Sequence, residues 1–196
     1  MGDLDETVTA AVEHARESRL NSIVAILVAL AATAMALGNV KDGNITQNMA
    51  QAQAKMVDAW SYYQAKGTKQ NIAEATYEQL LALKAATEAH MNPELDKKIE
   101  QFHDLATKYE KEKETIKAEA EGYQAEYDRL NMHDDQFDLS DAAFSVAIAL
   151  FGVTALTQKR WLLALASAFL AIGVTFELAG FLSWNIHPDK IMSWLS

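Results

Sequence analysis

The chain has no cysteine. That excludes disulfides, thiolate nucleophiles and cysteine-based metal sites, while leaving the compartment open. Two prolines and eight glycines are spread over 196 residues. Both residue types interrupt helices, so their scarcity favours long ones. Alternating β-branched runs are missing, so strands have little support. No Gly-rich phosphate loop, nucleophile elbow or HExxH pair occurs. On these grounds neither enzymatic activity nor a cofactor is expected. Positive charge is also short: the formal net charge is −10, and Asp/Glu outnumber Lys/Arg nineteen to twelve over 41–140. Phosphate backbones need a basic face, so nucleic acid is excluded as a partner.

What the chain does have is segregation. Leu20 to Val40 is free of charge over about 21 residues, ~30 Å as a helix and the thickness of a bilayer core. The acidic start (Asp3, Asp5, Glu6) and the length of the run argue against a cleaved signal peptide. A second apolar run, Ala142 to Leu156, extends into polar flanks to give a slightly thin crossing over 141–158. A third, Trp161 to Trp184, is bounded by tryptophans, which suit membrane interfaces. The short link Thr157-Gln158-Lys159-Arg160 makes the last two spans a helical hairpin. Lys159 and Arg160 in that link, with Arg16 and Arg19 before the first span, set the topology by the positive-inside rule. The N-terminus and the link are then cytoplasmic, and residues 41–140 lie outside. Residues 1–19 place Leu4, Val8, Ala11, Val12 and Ala15 on one face as an amphipathic helix, and 185–196 form an interfacial tail with Ile191, Met192, Trp194 and Leu195.

The charged middle carries a period of its own. Leu95, Phe102, Tyr109, Ile116, Tyr123, Leu130 and Phe137 recur every seven residues. Ile99, Ala106, Lys113, Ala120, Tyr127 and Asp134 fill the positions between, the pattern of a coiled coil. A weaker copy runs through Ile45, Met49, Ala52, Met56, Ala59, Tyr63, Ala73, Tyr77 and Leu80, interrupted by Lys66, Gln70 and Lys84. Asn92-Pro93-Glu94 has the chemistry of a helix start, so the turn is placed near 91–93. Two arm helices of about 47 residues follow, each ~70 Å long, with position i facing roughly 184 − i, which brings Leu130 near Met56, Tyr123 near Tyr63 and Tyr109 near Tyr77. Lys113 then meets the Lys66–Gln70 break. It reads as a weak, wet layer or as a register-fixing polar layer with Glu112 or Glu114 as countercharge.

Few residues stand out as sites. Glu177 is the one carboxylate inside a span, and it reads as an oligomer or interhelical contact before it reads as part of an ion path. Alanines at four-residue spacing (Ala25/Ala29, Ala32/Ala36, Ala143/Ala147, Ala164/Ala168) allow close helix approach within or between chains. The histidines (His14, His90, His103, His133, His187) lack metal spacing. His133-Asp134-Asp135 near a helix end is read as solvated, and no metal is expected.

The segment Asp58-Ala59-Trp60-Ser61-Tyr62-Tyr63-Gln64-Ala65-Lys66 with Lys69, the stretches Lys108-Tyr109-Glu110 and Ile116-Lys117-Ala118-Glu119-Ala120, and the C-terminal hairpin with Trp161 at its turn resemble the domain of unknown function 4337 family. The likeness covers nearly the whole chain. It implies a bacterial envelope protein and supplies no activity or catalytic residue. Trp60 and Tyr62 fall off the main seam, where packing against a neighbouring subunit competes with a locally widened core. The combined expectation is an all-α fold with three transmembrane helices and a long antiparallel coiled-coil hairpin. It would sit in a bacterial inner membrane with the arm extracytoplasmic, and its partners would be the lipid bilayer, further copies of itself and another membrane protein. Scaffold or accessory subunit is the leading function. A channel or transporter component using Glu177, and an adaptor that binds through the arm, are the alternatives.

Overall fold

The computed structural model describes residues 2–86 and 92–186, with side chains from Val12 onward. The apolar face at Leu4, Val8 and Ala11, His90 and Met91 at the turn, and the tail from His187 lie outside the described residues and side chains. The described elements are α1 (Gly2–Ala86), α2 (Pro93–Thr157) and α3 (Arg160–Phe181). Each contains a stretch long and apolar enough to cross a membrane. No proline falls inside α1 or α3, and Pro93 stands at the first position of α2, where its missing N–H costs nothing.

The helix ends have local causes. Asn92 Oδ1 accepts from the N–H groups of Glu94 and Leu95 at 3.1 and 3.3 Å, an N-cap that fulfils the expectation at Asn92-Pro93-Glu94. Glu94 and Asp96 lie in that first turn, where the helix dipole favours negative charge. α2 stops where Gln158 turns left-handed (φ 56°) and its N–H returns to Thr154 O at 2.8 Å. α3 stops the same way. Ser183 has φ 54°, and Trp184 N–H reaches back to Ala179 O at 2.9 Å. The third apolar run, expected to end at Trp184, is therefore helical only to Phe181.

The chain divides into two units, residues 49–128 and residues 1–48 with 129–196. In the first, α1 and α2 run antiparallel. The seven-residue seam of α2 is the face that packs: Leu95, Ile99, Phe102, Ala106, Tyr109, Lys113, Ile116, Ala120, Tyr123 and Tyr127 are all buried or half-buried. The register differs from the expected one by about a helical turn. Lys84 pairs with Asp96, Tyr77 stacks on His103, Lys66 pairs with Glu112, and Lys55 lies over Tyr123. Partner numbers thus add to about 180, so Tyr63 does not face Tyr123 and Tyr109 does not face Tyr77.

The break in the seam is filled by two lysines from opposite helices. Lys66 Nζ lies over the rings of Tyr62 and Tyr109 at 5.2 and 5.3 Å and bonds the Glu112 carboxylate. That bond raises the Lys66 pKa and lowers that of Glu112. Lys113 lies over Tyr63 at 5.1 Å and donates to Gln70 Oε1 at 3.1 Å. Countercharge comes from Glu112, one of the two acids expected to supply it, but it serves Lys66.

In the other unit three helices pack. Val24, Ala147, Phe151 and Ala166 form its buried centre. Toward the far end of α2, two phenylalanines seven residues apart meet two glycines seven residues apart on α3. A Cβ at Gly173 would lie 2.8 Å from the Phe144 ring, and one at Gly180 would lie 2.6 Å from Phe137. Phe137 also meets Phe181 edge-on at 5.3 Å.

Two predictions follow from these contacts. Gly180→Ala or Gly173→Ala forces a ring out of place and should cost about 1–3 kcal/mol, whereas Gly152→Ala, with open space around it, should cost nothing in a thermal melt. Lys66→Leu strips Glu112 of its partner and should speed hydrogen exchange along 49–86. Lys113→Leu should slow that exchange, because it adds an apolar seam residue opposite a Gln70 that also bonds Glu74. Equal effects at the two sites would refute the unequal roles of these lysines.

Candidate functional site

Polar chemistry in the three-helix unit gathers at its two ends, about 35 Å apart along α1. At one end α1 brings Asp42 and α2 brings Asp134, Asp138 and Asp141. Asp42 and Asp134 share a side-chain hydrogen bond. Two ionised carboxylates have no donor between them, so a hydrogen bond between these two requires that one of them be protonated. Burial first, then the charge of Asp134, pushes the Asp42 pKa up from 3.8 to about 6. Burial and the surrounding aspartates also raise Asp138. Thr46 Oγ1 donates to Asp134 Oδ1 at 3.0 Å. One oxygen each of Asp42 and Asp141 is buried without a hydrogen-bond partner among the described residues.

Beside this cluster, Glu177 is 7 % exposed. A Cβ at Gly38 would lie 3.1 Å from its Oε1, so a larger residue there would require the carboxylate to give way by a few tenths of an ångström. Met35, Gly38, Asn39, Phe137, Ser140, Asp141, Phe144 and Glu177 line a crevice of about 10 Å³, the threshold for a single water. Ser140 Oγ closes its wall by donating to Gly173 O at 2.9 Å. Glu177 thus lies on an internal contact between α1 and α3.

A clamp with no signal in the residue pattern holds the end of α3. Gln136, fully buried, donates Nε2 to Trp184 O at 2.9 Å and to Ile186 O at 2.6 Å. Its Oε1 lies 3.1 Å from Nδ1 of buried His133. Because both carbonyls require the amide nitrogen, the oxygen must face the histidine, and His133 carries its proton on Nδ1. This corrects the reading of His133 as solvated. Among the described residues, no group of three or more His, Asp or Glu is arranged to hold a metal ion.

The opposite end is basic. Arg16 and Arg19 of α1 and Arg160 of α3 line one cleft with Gln158, Leu20, Ile23 and Leu163. Gln158 Nε2 ties the link to α1 by donating to Asn21 Oδ1 at 2.9 Å. Lys159 caps α3 without a side-chain hydrogen bond. In the hairpin unit, Trp60 is half-buried and edge-on to Tyr63 at 5.5 Å, while Tyr62 is 51 % exposed beneath Lys66. Of the singled-out residues, only the basic set is brought together. Asp134 on the seam was the available signal for the acidic end.

The shared proton gives a signed pH dependence. Asp42 holds its proton more tightly folded than unfolded, so its contribution is full below pH 3.8 and is lost as pH rises through about 6. Asp42→Asn supplies the donor without a proton. After solvent screening it should add about 1 kcal/mol at pH 7 and flatten the melting temperature between pH 4 and 6. An unchanged pH profile would contradict the shared proton.

No curated protein and no solved structure matches the chain. One family, described as domain of unknown function (DUF4337), matches over residues 20–183. That range takes in every described cluster except the residues before Leu20 and the clamped carbonyls of Trp184 and Ile186. The chain belongs to the DUF4337 family.

Proposed function

We propose that the chain is a non-enzymatic, self-associating membrane scaffold with three spans and an extramembrane antiparallel coiled-coil hairpin. Ile23, Ile26, Leu30 and Leu37 on α1, Val146 and Val153 on α2, and Ile172 and Leu178 on α3 are all exposed. Lipid covers such a surface at no cost, whereas water does not tolerate a patch of this size. The hydroxyls of Ser22, Thr33, Thr154 and Thr175 each donate to the carbonyl four residues back in their own helix. They need no water, which favours a scaffold over a channel. So does Glu177, packed against Gly38 in a crevice without room for a path. Arg16, Arg19 and Arg160 at one end support a cytoplasmic location for that end and an extracytoplasmic hairpin in a bacterial inner membrane.

Self-association rests on one observation. Ala143 and Ala147 are buried inside the chain, but Ala25, Ala29, Ala32 and Ala36 form an exposed row on α1. In lipid, helices associate through such close-packing faces. Gentle extraction should give a particle whose mass is a multiple of 21.6 kDa. Ala29→Leu with Ala36→Leu should shift it toward the monomer without changing helix content. A wild-type monomer across a dilution series in nanodiscs would end the proposal.

A further inference from the structure

We infer that the cleft lined by Arg16, Arg19 and Arg160 holds the headgroup of an anionic phospholipid. The inference rests on the membrane reading above and adds a specific ligand to it. The cleft measures about 610 Å³, within the range of small-molecule sites. Its residues divide by chemistry. Three guanidinium groups come from two helices, and Leu20, Ile23 and Leu163 continue toward the apolar centre. A phosphodiester with acyl chains needs this combination: planar donors for the phosphate, then hydrocarbon.

The arginines are also uncommitted. Among the described residues, none of the three makes an ion pair, although Glu13 and Glu17 share the cleft. Glu17 instead meets His14 on its own helix at 3.9 Å. Three guanidinium groups against two carboxylates, none of them paired with the other, leave the cleft one positive charge in excess, and a bound phosphate takes up that excess. Leu20 begins the first apolar run, so the cleft stands at the depth of lipid phosphates. The two carboxylates favour a single anion, because they offset part of the positive charge. A free phosphate ion shares the headgroup's chemistry but gains nothing from Leu20, Ile23 and Leu163.

The test uses the full chain in vesicles of phosphatidylcholine with a quarter phosphatidylglycerol, followed by native mass measurement of retained lipid. Wild type should retain phosphatidylglycerol over phosphatidylcholine. Arg16→Gln, Arg19→Gln and Arg160→Gln should each lower that preference about fivefold. Lys97→Gln with Lys108→Gln, twice the charge change of each arginine variant but outside the cleft, should leave it intact. Glu13→Gln with Glu17→Gln should raise it, a gain that no folding defect produces. Glycerol phosphate in solution should fail to compete, and efficient competition would overturn the lipid as the ligand. Insertion without preference, or a preference indifferent to the arginines and to Glu13 and Glu17, would overturn the site. Failure of wild type to float with the vesicles would overturn the membrane reading itself.

Discussion

The approach of α2 to α3 through aromatic rings set on glycines governs the three-helix unit. Phe137 on Gly180 and Phe144 on Gly173 leave no room for a Cβ, so they fix both the spacing and the register of the two helices. The polar contacts on the same faces depend on that distance. Ser140 reaches Gly173 O only because the ring one turn later is seated. Gln136, next to Phe137, then meets the carbonyls of Trp184 and Ile186 beyond the end of α3. A third glycine repeats the device on α1, where Gly38 admits the Glu177 carboxylate. Glycine lowers helix propensity at these positions, and the packing it permits outweighs that loss.

The hairpin unit solves a different problem. A seam of alanine, tyrosine and methionine is too small and too polar to exclude water throughout, and at Lys66 and Lys113 the apolar repeat gives way to charge. Aromatic rings take up the long side chains, each ammonium lying over a ring while its tip finds an acceptor. The acceptors are unequal, Glu112 for Lys66 and Gln70 for Lys113. A one-turn slip would separate both pairs, so this layer selects a register that the small seam residues alone leave weakly defined.

Much of this was legible in the chain. The three apolar runs, the seven-residue seam and the cap at Asn92 could be read because each depends on residues near in sequence. The register could not, since it depends on where the two helices turn, and a shift of a few residues there moves every facing pair. Assuming a centre near 92 produced the false pairing of Tyr109 with Tyr77. The acidic end was missed for the opposite reason: Asp42 follows no motif, and Asp134 was read as one filler of a heptad, though an aspartate at a core position calls for a partner. Gln136 gave no signal, because a lone glutamine at the end of a helix resembles any solvated residue until the carbonyls it holds are in place.

The charge distribution of the three-helix unit follows from the same economy. Its apolar middle contains hydroxyls that bond within their own helix and one carboxylate held by packing, so it makes no demand on solvent. The other described ionisable groups of the unit are displaced to the ends, and the two ends treat charge differently. Arginine stays ionised in any surroundings, and Arg16, Arg19 and Arg160 share their cleft with only two carboxylates, so an excess of positive charge is left to attract an anion. Aspartate has another recourse, because it can keep its proton. Below about pH 6 Asp42 has that recourse, which turns a repulsion between α1 and α2 into an attraction to Asp134. One end of the unit therefore calls for a ligand, and the other answers to pH.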